Sequence, residues 1–101
     1  MTTSTNNYDA LEQLIFAEGL QIETIEIRRQ TDSILITLNT KATLHQRLSL
    51  YPALLKAEES QVNNYQIIAN GTGLHWPELD EDLSLKGLLQ SELLSIVKKA
   101  A

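Results

Sequence analysis

The sequence predicts an α+β fold, a small antiparallel β-sheet of two to three N-terminal strands plus a hairpin, packed with N- and C-terminal helices. Three observations carry this. Apolar residues recur every second position between residues 22 and 38. They recur at helical spacing near both ends of the chain, and an Asn-Gly pair divides two short β-prone runs further along. At 101 residues, 43% hydrophobic and 21% charged, the chain is long enough for one core, and residues 8–101 read as a single domain.

Residues 1–7, MTTSTNN, are small and polar and read as a disordered tail. A helix is expected over residues 8–18, where Leu11, Leu14 and Ile15 share a face and Gly19 stands where helices end. Two strands follow. Ile25 and Ile27 alternate with Glu26 and Arg28, and Ile34, Ile36 and Leu38 alternate with Leu35 and Thr37. A polar turn at residues 30–33 joins them, and a third strand is expected over residues 42–48. Pro52 suits a first helical turn, so YPALLKAEESQVNN reads as a helix with room for a break in its middle. Its apolar side holds Leu50, Leu54, Leu55 and Ala57. YQIIA and LHW flank Asn-Gly-Thr-Gly as the arms of a hairpin. Leu85, Leu88, Leu89, Leu93, Ile96 and Val97 then mark an amphipathic C-terminal helix, whose negative end suits Lys98 and Lys99.

Composition excludes several classes. With no cysteine there is no disulfide, thiol nucleophile or thiolate metal site. No basic start precedes an apolar run, and no apolar run is long enough to span a bilayer, which points to a cytoplasmic protein without membrane contact. The net charge of −5 opposes direct nucleic-acid binding. That charge is uneven. Between Lys56 and Lys86 there is no Lys or Arg, while Glu58, Glu59, Glu78, Asp80, Glu81 and Asp82 all fall there. A basic partner or a cation would be drawn to that third of the chain.

The densest chemistry is in GLHWPELDEDLS, residues 73–84. Asp80 and Asp82 could pair as carboxylates with His75 as base, yet no activated nucleophile accompanies them and no Gly-x-Ser-x-Gly occurs. No enzymatic activity and no cofactor are expected. Glu78, Asp80 and Asp82 alternate as in calcium loops, but counting from Asp80 the sixth and twelfth positions hold Leu85 and Ser91 instead of Gly and Glu. The architectural reading is a strand-to-helix corner: Pro77 stops the strand, Leu79 and Leu83 tuck under Trp76, Asp82 or Ser84 caps the last helix and acids fill its first turn.

The order strand, turn, strand, YPALLKA, an EES-type helix and GxGLHWPELDEDLSLKGLL closely resembles the bacterial domain of unknown function 2442 family over residues 22–90. The resemblance implies a compact α+β domain without established enzymatic activity. Some relatives carry a helix-turn-helix domain after it, and others sit beside small proteins suspected of being toxins, which implies a regulatory or antitoxin-like role. This chain departs from the first arrangement, with one helix after Asp82. Carried over from the family motif are Trp76, Pro77, Asp80, Glu81 and Asp82. Two functions follow as expectations: a non-enzymatic interaction module whose acidic surface meets a small basic protein, or a small-ligand or divalent-cation binder using His75, Glu78, Asp80 and Asp82. The wide leucine stripe of the last helix also predicts a homodimer.

Overall fold

The computed structural model describes residues 8–99, so the expected tail at residues 1–7 lies outside the described residues. Six strands form two three-stranded antiparallel sheets, each a meander. The first joins β1 (Ile22–Arg28), β2 (Ser33–Leu38) and β3 (Thr43–Arg47), and the second joins β4 (Gln66–Ile68), β5 (Gly73–Trp76) and β6 (Glu81–Ser84). The chain is α+β, as its periodicities predict.

The N-terminal helix, α1, starts at Ala10–Glu12 under a capping box between Asp9 and Glu12 and continues as a π-helical turn over Gln13–Ala17. Gly19 ends it at φ +74°, a left-handed conformation that costs glycine nothing. In β1 the register shifts between Ile22 and Thr24. That bulge lets Ile22 and Ile25, three residues apart, both face inward toward Leu38 and Ile36. Strand β2 is central and supplies Ile34, Ile36 and Leu38 to the core, all buried.

The stretch YPALLKAEESQVNN breaks at Ala57, whose ψ of 159° is extended. Helix α2 is Pro52–Lys56 and helix α3 is Glu59–Val62. Two things hold the break. The Arg29 guanidinium takes the carbonyls of Leu55 and Ala57, and Glu58 caps α3 in a box with Gln61. Only Leu54 and Ala57 of the expected apolar side are buried; Leu50 and Leu55 stand exposed. Leu55 follows the buried Leu54 by about 100° round α2 and so turns away from the core, and Leu50 lies ahead of the helix altogether.

The final helix, α4 (Leu85–Lys99), begins where the Ser84 hydroxyl oxygen accepts the Gly87 N–H at 3.0 Å. It lies along β3, with the Glu92 carboxylate accepting from His45 N–H and from the Gln46 amide. Residues of both sheets, of α1 and of α4 share one core, including Ile15, Ile36, Leu74, Trp76 and Leu88. Among the described residues no helix is long and apolar enough to cross a membrane.

Candidate functional site

The acidic run does not lead straight into α4. Residues 77–80 turn the chain, and Glu81–Ser84 return as a strand against β5. Pro77 occupies the second place of a β-turn closed by Leu79 N–H on Trp76 C=O at 3.1 Å, where its fixed φ is already right. Asp80 then takes a left-handed backbone at φ +50° and re-aims the chain. The expected strand-to-helix corner is therefore a hairpin, and no acid occupies the first turn of α4. The missed signal was the Pro-x-x-Asp turn. The strand it opens, Glu-Asp-Leu-Ser, is built of residues that β-sheets use sparingly.

Strand alternation sorts the motif into two faces. Trp76 and Leu74 point inward with no exposure, opposite Glu81 and Leu83. The indole N–H donates to Val62 C=O at 2.8 Å, and the ring leans on Tyr65 at a centroid distance of 6.3 Å. Leu79 and Leu83 are half-buried against the same core, as their spacing predicts. Glu81 stands at the margin of this face, near the Tyr51 phenol. Burial pushes that phenol's pKa up, the charge of Glu81 pushes the same way, and a Ser91 hydrogen bond opposes both.

The other face is outward. Asp82 pairs across the ladder with His75, whose Nδ1 lies 2.6 Å from Asp82 Oδ1. An opposite-charge pair directly across an antiparallel ladder helps hold the two strands together. Ser84, two residues along on that face, spends its hydroxyl oxygen on the N-terminus of α4. At the tip, Pro77, Glu78 and Asp80 are exposed, and Glu78 accepts from the Asn64 amide at 2.7 Å.

His75, Glu78, Asp80 and Asp82 therefore do not converge. Among the described residues no group of three or more His, Asp or Glu side chains could hold a metal ion. The cation-binding alternative loses the cluster it needed, because Glu78 and Asp82 are drawn to different partners on different sides of the turn. Further openings lie among the described residues. A cleft of about 270 Å³ lies between Tyr51, Asp82–Ser84 and the first turns of α4. A groove of about 630 Å³ lies between the end of β1 with its turn and α3. Arg28 and Arg29 line that groove, but Arg28 is paired to Glu26 at 2.7 Å and Arg29 holds the carbonyls of Leu55 and Ala57.

The sequence profile of the family "Protein of unknown function (DUF2442)" matches residues 24–92, more than half of the chain. The chain belongs to this family. Two solved structures are similar to this DUF2442 protein. A protein of unknown function from Rhodospirillum rubrum is 29% identical with a TM-score of 0.61, covering 71% of this chain and 87% of its own. An uncharacterized protein from Chromobacterium violaceum is 27% identical with a TM-score of 0.64, covering 91% of this chain and 87% of its own. Among curated proteins no relative matches the chain. The DUF2442 match contains the whole hairpin and excludes α1 and the last turns of α4.

Proposed function

We propose that this DUF2442 chain is a non-enzymatic interaction module, antitoxin-like in use, that offers its β5–β6 hairpin to a small basic protein. The division of the motif into two faces carries the reading. Trp76 anchors the hairpin from inside, and that leaves Glu78, Asp80 and Asp82 displayed in fixed positions outside. Neighbouring charge supports it, since no Lys or Arg lies between Lys56 and Lys86. Exposed acids on a rigid support steer a basic partner and set its orientation, and salt weakens both effects.

The role of each residue differs within the motif. Pro77 and Asp80 shape the turn, Asp80 and Asp82 meet the partner, and Glu81 lends charge from the margin. The test is association of the tagged protein with its partner from native lysate, comparing wild type with Asp80→Asn/Glu81→Gln/Asp82→Asn. Asparagine tolerates the left-handed backbone at position 80, so charge is removed without straining the turn. The account expects binding to weaken about tenfold, with melting unchanged and with wild-type binding lost at high salt. Equal binding by the variant would overturn it.

A further inference from the structure

We propose that Asn70 is a deamidation site that the fold holds shut, and that Gln21 is the side chain that holds it. Of the six asparagines in the chain only Asn70 precedes a glycine. Gly71 has no Cβ, so no side chain of its own screens its backbone nitrogen from the Asn70 side chain. Asparagine is thermolabile, and most so where such a nitrogen follows it.

The chemistry needs only water. The Gly71 nitrogen gives up its proton to solvent and attacks Asn70 Cγ. The side-chain nitrogen leaves as ammonia and a succinimide ring closes. Water then opens either ring carbonyl, which leaves aspartate, or isoaspartate with the main chain rerouted through Cβ and Cγ. Nothing is oxidised or reduced.

The ring closes only when Gly71 N and Asn70 Cβ lie on the same side of the Asn70 Cα–C bond. Asn70 has φ 55° and ψ 42°. For an L-residue that ψ swings Gly71 N almost opposite Cβ, where Cγ does not reach it. Asn70 is exposed, so water is at hand and rotation about one bond is what the fold withholds.

The carbonyl shows how. Asn70 C=O and Gly71 N belong to one rigid peptide plane. Gln21 Nε2 donates to Asn70 C=O at 2.9 Å, and the stem of Gln21 lies so close that a Cβ on Gly71 would stand 2.7 Å from it. Turning Gly71 N toward Cβ pulls the carbonyl oxygen off its donor. Gln21 is itself set by Asn39, whose Oδ1 accepts Gln21 N–H at 3.1 Å. The far end of the turn is tied too, with the Thr72 hydroxyl donating to Ala69 C=O at 2.7 Å and Leu85 N–H donating to Thr72 C=O at 2.8 Å. Deamidation therefore waits on a local opening of the β4–β5 turn, and its rate reads the population of that opening. The acidic β5–β6 hairpin plays no part in it.

The test is incubation of the full chain in mildly alkaline buffer, with and without urea, followed by peptide mapping of each asparagine. In urea Asn70 should convert fastest of the six. In the folded chain it should slow about tenfold or more. Gln21→Ala and Gln21→Glu should recover much of the urea rate at Asn70 while Asn63 and Asn64 keep their wild-type rates. Thr72→Val, which loosens the same turn without touching Gln21, should speed Asn70 to a lesser degree. Folded wild type converting as fast as the chain in urea would overturn the proposal. So would another asparagine leading in urea, or Gln21 variants no faster than wild type. Asn63 and Asn64 rising in step with Asn70 would make Gln21 a prop of the whole fold instead, and would overturn it as well.

Discussion

Trp76 is buried on every side and still satisfies its one polar atom, because Val62 C=O sits 2.8 Å from the indole nitrogen. Truncating such a side chain removes a large apolar area and leaves a cavity, so Trp76→Ala should cost about 3–5 kcal/mol. Trp76→Phe should cost about 1–3 kcal/mol, since it also strips Val62 C=O of its donor. With roughly 4–8 °C per kcal/mol in a domain this size, thermal melting separates the two variants. A Phe variant that melts like wild type would mean the indole bond contributes nothing.

Asp32 gives the acid dependence. The Ser49 hydroxyl and then its backbone N–H, both at 2.7 Å, hold the Asp32 carboxyl below its ordinary range. Its contribution is complete above the unfolded carboxyl's pKa of about 3.9 and is lost as pH falls through the lower folded value. Asp32→Asn should therefore flatten the fall of melting temperature below about pH 4. An unchanged acid limb would assign that sensitivity to Asp9 beside Lys86 or to Glu26 beside Arg28. The burial of Trp76 was legible in the sequence, as one indole in a Leu/Ile chain. Its acceptor was not, because Val62 is fourteen positions away and only the fold brings it near.

Among the elements, the two N-terminal strands and the Asn-Gly hairpin lie where period-2 alternation and turn chemistry place them. The turn of that hairpin is longer than the dipeptide alone implies, with residues 69–72 between the paired Ile68 and Gly73. Ala69, Asn70 and Gly71 are all left-handed, and a Cβ on Gly71 would stand 2.7 Å from Gln21. The break at Ala57 is held both by Arg29 from another part of the chain and by the local Glu58–Gln61 box, so the sequence leaves room for it but only the fold places it. Strand β6 was missed because its residues favour caps and turns, and one of them does serve as a cap. Ser84→Ala should lower stability by about 1 kcal/mol by leaving Gly87 N–H without its acceptor. Urea melts followed by far-UV circular dichroism would read this, and an unchanged midpoint would move the cap elsewhere.

On the scale of the whole molecule, the sequence suggested one sheet with an added hairpin, and the chain builds two sheets around a shared core. The second sheet closes only because the acidic segment turns back as β6, and that same turn displays the acids. Family membership was legible from GLHWPELDEDLS, whereas the split of its residues between core and surface required the register of β5 against β6. The β5–β6 hairpin carries four of the thirteen acids, and the end of α4 carries exposed Leu, Ile and Val.

The measurement closest to the central claim is the affinity of the partner for wild type and for Asp80→Asn/Glu81→Gln/Asp82→Asn across a salt series. The account predicts binding by the wild type that weakens steadily with salt, and a variant about tenfold weaker with a flatter salt response and an unchanged melt. Two parallel salt curves of equal affinity would contradict it and return the acidic hairpin to a purely architectural role.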